Sequence, residues 1–359
     1  MKKNFLFRLS AIAMSLILVA CGGSTSEDVV ENETTAIESE ESLNVVVTTP
    51  MLGEFVKQVA GDSVVLDILM PAEADPHTYD PSPQDAAKIA DADIVLYVGI
   101  KYETSSLLKL IENTASTNAT LLEIGEEIDP IEFIDGERDH GHHDDHDEEG
   151  HDDDKDHDHD DEDGHDDHDE EGHEGHEGHD HGSEDPHFWF DPVRVAMAVE
   201  VIKDSLVSLD PANSSTYEAN ADNFISELTD LDAQVKELIE SVSEDNRKIV
   251  TTHEALGYLE ARYGIEIFAT IIPSLSTADE ISPSQIADVI DVIEDNNIKV
   301  LFVESEAPSV YAETVVAEAG ITAVTGLYVE TLKDGQTYSD FLISNVTLIV
   351  ESLNSAGEG

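Results

Sequence analysis

Apolar and polar positions along the chain fall into a repeating strand–helix pattern. Leu43–Thr49 is a β-branched run that predicts a buried strand, ended by Thr48-Thr49-Pro50. Met51–Ala60 has helical spacing, and Val64–Leu69 predicts a second strand. Pro81 to Ala90 reads as a helix, with Ser82 as its N-cap and Pro83 at its first position. Ile94–Val98 predicts a third strand and Leu121–Ile124 a weaker fourth. Strands that alternate with helices argue for a parallel sheet covered on both faces.

The same pattern restarts later. Pro192–Leu209 has helical spacing, and a long helical pattern follows over Ser214–Val242. Its apolar positions are Tyr217, Phe224, Leu228, Leu231, Val235, Leu238 and Val242, a single stripe that no Gly or Pro interrupts. At about 1.5 Å per residue such a helix spans on the order of 40 Å, enough to act as a stiff strut between two domains. Strands are then expected at Lys248–Thr252, Ile265–Thr270, Ile298–Glu304 and near Thr322–Val324. Helices are expected at Ala255–Tyr263, Ser284–Asn296, Val310–Ala319 and Tyr338–Leu353. The predicted fold class is α/β: two similar parallel-sheet lobes joined by one long rigid helix, with the ligand site in the cleft between them.

Charge narrows the partners. The chain has 359 residues, with 81 Asp+Glu against 17 Lys+Arg and a formal net charge of −64. Nucleic acid is excluded, because phosphate contacts need clustered Lys and Arg. Cations are the natural partners. The acidity peaks at residues 139–182, where 44 positions hold 23 Asp or Glu and 13 His. That block has no core-forming residues and is expected to be a disordered insert. The remainder is still strongly acidic, as in proteins of saline habitats.

The N-terminus reads as an address. Residues 1–20 combine Lys2, Lys3 and Arg8 with an apolar run too short for a transmembrane helix, a lipoprotein signal peptide. The run ends in Leu18-Val19-Ala20-Cys21, which looks like a lipobox whose cysteine takes the lipid. Cys21 is the single cysteine, so no intrachain disulfide is possible. Residues 21–42 read as a flexible tether. The mature protein is expected on the outer face of the cytoplasmic membrane, held through Cys21, as a monomer.

Outside the insert only three histidines remain, His77, His187 and His253. Two sit in identical Asp-Pro-His tripeptides, Asp75-Pro76-His77 and Asp185-Pro186-His187. Proline stiffens the backbone just before the ring, which helps to preorganise a ligand. Imidazole suits zinc, copper, iron and nickel, and three His with one carboxylate make a closed tetrahedral zinc site.

These motifs resemble the metal solute-binding lipoproteins of zinc and manganese ABC importers (the cluster A-I, or cluster 9, family). The resemblance is carried by Asp75-Pro76-His77-Thr78-Tyr79-Asp80-Pro81-Ser82-Pro83 and Asp185-Pro186-His187-Phe188-Trp189-Phe190-Asp191-Pro192. It is also carried by Thr252-His253-Glu254-Ala255-Leu256-Gly257-Tyr258, by Arg262-Tyr263-Gly264 and by Leu301-Phe302-Val303-Glu304-Ser305. It extends from Leu43 to about Leu353. It implies two lobes with a buried metal, His77 and His187 coming from the first lobe and His253 from the second. The implied domains are residues 43–209 with the insert 139–182, a linking helix 210–243, and residues 244–359. The family's fourth ligand is usually an aspartate near the C-terminus. Here Leu327-Tyr328-Val329-Glu330-Thr331-Leu332 occupies that place, making Glu330 the candidate, one methylene longer, with water as the alternative.

The resemblance implies capture of Zn(II) as the transported ligand and delivery to an importer permease. Relatives of the manganese type use two His and two carboxylates, so His253 points to zinc. A manganese or iron cargo, or an adhesin or metal buffer not coupled to transport, is the alternative. The insert resembles that of the zinc branch and is expected to bind several divalent ions weakly, although many members of that branch carry a disulfide that this chain cannot form. An enzyme is not expected: after His253-Glu254 no second His follows at zinc-protease spacing, and neither a Gly-x-Ser-x-Gly elbow nor a P-loop occurs.

Overall fold

Each β-branched run becomes a strand of one of two sheets in the computed structural model, which describes residues 42–133, 184–306 and 310–357. The signal segment 1–20, Cys21 with the tether up to residue 41, and the insert 139–182 lie outside the described residues. The first sheet comprises β1 (Leu43–Val47), β2 (Val64–Ile68), β3 (Ile94–Tyr97) and β4 (Thr120–Glu123), in the order β2-β1-β3-β4. The second comprises β5 (Lys248–His253), β6 (Glu266–Ile272), β7 (Val300–Glu304) and β8 (Thr322–Leu327), in the order β6-β5-β7-β8. Every pairing is parallel, so the two lobes share one topology.

Parallel strands need crossover helices. In the first lobe these are α1 (Pro50–Ala60), α2 (Pro83–Ala90) and α3 (Ser105–Thr114). In the second they are α6 (Gly257–Tyr263), α7 (Pro283–Asp295) and α8 (Val310–Ala319). Between β4 and β5 in the chain come α4 (Pro192–Leu209) and the long α5 (Ser214–Glu240), and α9 (Tyr338–Gly357) closes the order.

The helix starts repeat between the lobes. Ser82 caps α2 in a capping box with Asp85, and Pro83 takes the first turn. Ser282 caps α7 in the same way with Gln285, and Pro283 follows, so this helix starts one residue earlier than its periodicity suggests. Thr49 caps α1, its hydroxyl accepting from the Leu52 N–H at 3.2 Å. That helix lies close on its sheet: a Cβ on Gly53 would come within 2.6 Å of the Ile68 side chain.

One core runs through both lobes. It joins Val45 and Val47 of the first sheet to Phe55 of α1 and Ile202 of α4, then passes along α5 to Ile249, Phe302 and Phe341. The α5 stripe buries Tyr217, Ala221, Phe224, Leu228, Leu231, Val235 and Ile239. Leu238 is only partly buried, because 3.6 residues per turn carries the stripe one place onward by the last turn. The helix packs against α1, α4 and α9.

Several boundaries differ from the periodicity. The helix α3 has no counterpart in the sequence reading, although Leu107, Leu108, Leu110 and Ile111 recur at helical spacing; only Leu107 and Ile111 of its ten residues are buried. Strand β5 runs on through His253, and Ala255 then folds back with its N–H on the His253 carbonyl, so α6 starts only at Gly257. Strand β8 extends to Leu327.

Because α5 contributes to the core of both lobes, shortening a side chain in its stripe should destabilise the whole chain. Leu231→Ala is expected to cost about 2–5 kcal/mol in denaturant unfolding, followed in one transition by probes from either lobe. Lys236→Ala, on the exposed side of the same turn, should stay within about 0.5 kcal/mol.

Candidate metal centre

In open parallel sheets ligands bind beyond the carboxyl ends of the strands, where the strand order reverses. In the second sheet that point lies between β5 and β7. His253 is the last residue of β5 and Glu304 the last of β7. Glu304 Oε1 accepts the His253 backbone N–H at 3.0 Å, and Oε2 lies 2.5 Å from His253 Nδ1. The carboxylate therefore fixes the proton on Nδ1 and leaves the Nε2 lone pair for a ligand.

His187 is built from a turn. Asp185 Oδ1 accepts both the His187 N–H at 2.9 Å and, at 2.7 Å, a bond from Nδ1. Nε2 again faces inward. The first turn of α6 presses on this pair: a Cβ on Gly257 would lie 2.5 Å from Asp185 Oδ2. The Tyr258 hydroxyl donates to the Asp185 carbonyl at 2.9 Å and accepts from the Ile131 N–H at 3.2 Å. Glu132 and Glu184 form an antiparallel bridge, so the residues flanking 134–183 are joined at the foot of His187.

His77 lies in the loop after β2. Asp75 Oδ1 accepts its N–H at 2.9 Å, the contact that Asp185 makes in the twin tripeptide. The other oxygen does something different: Asp75 Oδ2 accepts the Thr277 hydroxyl at 2.7 Å, tying this loop to the second lobe.

Glu330 follows β8. The Tyr102 hydroxyl donates to its carbonyl at 3.0 Å, and Trp189 Nε1 donates to the Val329 carbonyl at 2.7 Å. Both donors come from the first lobe.

The four sequence-derived candidates thus meet at one point. His77, His187, His253 and Glu330 each offer one donor atom, all within 4.8 Å of one another. The three imidazole centroids stand 5.5–6.0 Å apart, edge to face. Glu330 Oε1 lies 2.7 Å from His253 Nε2, 3.4 Å from His187 Nε2 and 3.5 Å from His77 Nε2. His187 and His253 are 0% exposed, Glu330 1% and His77 9%, so His77 is the candidate ligand nearest solvent. None of the three Nε2 atoms and neither Glu330 oxygen makes a hydrogen bond among the described residues. Five buried polar atoms without hydrogen bonds, aimed at one point, are costly unless an ion satisfies them. Three neutral imidazoles and a carboxylate are a donor set for a divalent transition metal.

The mutual charges follow. Burial lowers the His187 pKa, but the Glu330 and Asp185 carboxylates outweigh it and raise the ring to about 9. Burial likewise opposes the charged form of His253, and Glu304 and Glu330 hold it well above its ordinary 6.5. Burial raises Glu330, but His187 and His77 draw it well below the usual carboxylate range. A further carboxyl, Glu306, is pushed up to about 8 by burial and the neighbouring Glu330. Its role, like that of Glu304 and Thr277, was not read from the sequence. Asp185 and Glu304 stand in the quoted motifs, but only the strand order shows what they orient.

Fold and site together define a metal-binding solute-binding protein. The profile described as "ZnuA: Zinc-uptake complex component A periplasmic" matches residues 45–352, and the chain belongs to this family. It is the metal-binding component of an ABC importer and not an enzyme. The manganese-binding lipoprotein MntA of Halalkalibacterium halodurans is 25% identical over 98% of this chain and 99% of its own. The iron ABC transporter substrate-binding lipoprotein MtsA of Streptococcus pyogenes serotype M1 is 26% identical over 98% and 99%. The periplasmic zinc-binding protein TroA of Treponema pallidum has the same fold, with a TM-score of 0.68 at 22% identity over 86% of this chain and 98% of its own.

The raised imidazoles set a pH dependence. At pH 7 the metal-free site keeps protons on His187 and His253. A metal takes the neutral rings, so those protons must leave. Zinc titration at pH 7, in buffers of different ionisation heat, is expected to show release of about two protons per tightly bound ion. Affinity should weaken as the pH falls below about 9, the value to which His187 is raised. Uptake without proton release would contradict this electrostatic account.

Proposed function

We propose that this chain captures Zn(II) outside the cytoplasmic membrane and delivers it to the permease of an ABC importer. The convergence of three buried Nε2 atoms and the Glu330 carboxylate, all without hydrogen bonds, carries the reading. Three imidazoles and one oxygen match the tetrahedral preference of zinc, with no remaining position for a substrate water. Zinc enters as cargo and leaves unchanged.

Each residue has a part. His77, His187, His253 and Glu330 hold the ion. Asp185 and Glu304 keep two rings in the tautomer that presents Nε2. The hydrogen bonds Tyr102–Glu330, Trp189–Val329 and Thr277–Asp75 join the lobes around the site, so a permease that separates the lobes would disturb the ligand set. The shared core along α5 favours small lobe movements over wide hinge opening. We place the lobes at residues 43–209 and 244–359, with 210–243 as the link. Cys21 would carry the lipid anchor, as the lipoprotein names of the relatives suggest. Among the described residues no helix is long and apolar enough to cross a membrane.

Residues 139–182 would act as an accessory metal-gathering segment, because the flanking chain enters beside Asp185 and His187. A manganese or iron cargo is the second reading. It is favoured by the names of the relatives and by the two Glu330 oxygens free of hydrogen bonds, which could serve a metal that prefers oxygen.

Calorimetric zinc titration with manganese competition tests this, on protein lacking 139–182 and on a His253→Ala variant. One tight zinc site is expected, retained without the insert, lost in the variant and resistant to manganese. Easy displacement by manganese would favour the second reading, and no tight site would overturn both.

A further inference from the structure

The loop that carries Glu330 is gripped from two sides. Its carbonyls at Val329 and Glu330 accept from Trp189 and Tyr102 of the first lobe. Its N–H groups turn the other way. Those of Val329, Glu330 and Thr331 all donate to one atom, Glu306 Oε1, at 3.0, 3.2 and 3.4 Å. Three successive peptide N–H groups around one oxygen form an anion-binding nest, filled here by a side chain of the same protein. Glu306 stands two residues beyond β7, so the nest ties the Glu330 loop to the strand that also presents Glu304 to His253.

Glu306 is not one of the four converging donors. Its second oxygen is buried and makes no hydrogen bond among the described residues. A buried carboxyl beside another carboxylate is a costly choice for packing alone. What it provides is a fixed backbone: without it the N–H groups of Val329, Glu330 and Thr331 lose their acceptor, and the carbonyl bonds from Trp189 and Tyr102 and the Asn345 side chain on Tyr328 remain.

We propose that Glu306 is a positioning residue for Glu330, fixing residues 329–331 from the second-lobe side so that the Glu330 carboxylate meets the three imidazoles without rearrangement. The inference rests on the reading of Glu330 as a metal ligand. A ligand held in place before the ion arrives lowers the ordering cost of binding and slows release.

Three variants of the full-length protein separate positioning from charge. Glu306→Gln keeps the accepting oxygen and removes the charge. Glu306→Asp keeps the charge but withdraws the oxygen by one methylene. Glu306→Ala removes both. The readouts are the dissociation rate of the tightly bound zinc into a chelator and amide hydrogen exchange at residues 329–331 in the metal-free protein. Glu306→Asp and Glu306→Ala are expected to speed zinc release about 10–100-fold and to lose exchange protection, while Glu306→Gln stays within about threefold of the parent. Should the alanine variant fail to fold, the Gln and Asp pair still decides. Glu306→Gln as damaging as Glu306→Ala, with Glu306→Asp unaffected, would overturn positioning in favour of charge. Three variants that all behave like the parent would overturn it outright. Glu330→Ala is the control. Unchanged zinc affinity there would sink the ligand reading, and the exchange at 329–331 would still report whether Glu306 holds the loop.

Discussion

Burying the Glu330 carboxylate without a hydrogen bond is the constraint around which the structure is organised. A lone carboxylate in such a place would take up a proton rather than stay charged. Here the imidazoles of His187 and His77 hold it ionised, and it in turn raises the His187 ring. Without metal the cluster is balanced by imidazole protons; with metal, the ion does the balancing. Either state needs all four groups at one point, and they come from four segments of the chain. The topology makes that possible: His253 comes from a strand end at the switch point of the second sheet, and the other three come from loops that approach it.

The two Asp-Pro-His tripeptides show how one local device serves two ends. In both, the Asp accepts the His N–H at 2.9 Å, which fixes the turn. Asp185 then orients its own imidazole through Nδ1, whereas Asp75 reaches across to Thr277. The first arrangement makes a rigid, fully buried ligand. The second makes the candidate ligand nearest solvent depend on a contact between lobes.

Much of this was legible in the sequence, and the reasons are local. The β-branched runs gave strands, the Ser-Pro pair at 82–83 gave a helix start, and the scarcity of histidine outside residues 139–182 left three candidates that do converge. Glu330 was reached through the family resemblance and not through its neighbours in the chain, and it meets the histidines. What escaped depends on adjacency between distant segments. Glu304 becomes the partner of His253 only because β5 and β7 are neighbours, 51 positions apart in the chain. Glu306 and Thr277 carry no local pattern that marks them. The helix α3 escaped although Leu107, Leu108, Leu110 and Ile111 recur at helical spacing; it buries only two side chains.

The central claim is that one ion is held by three imidazoles and one carboxylate. X-ray absorption spectroscopy of zinc-loaded protein without residues 139–182, at one ion per chain, tests it most directly. A four-coordinate shell is expected, with three nitrogens at about 2.0–2.1 Å, one oxygen and the multiple-scattering pattern of three imidazoles. A six-coordinate, oxygen-rich shell, or fewer than three imidazoles, would contradict it.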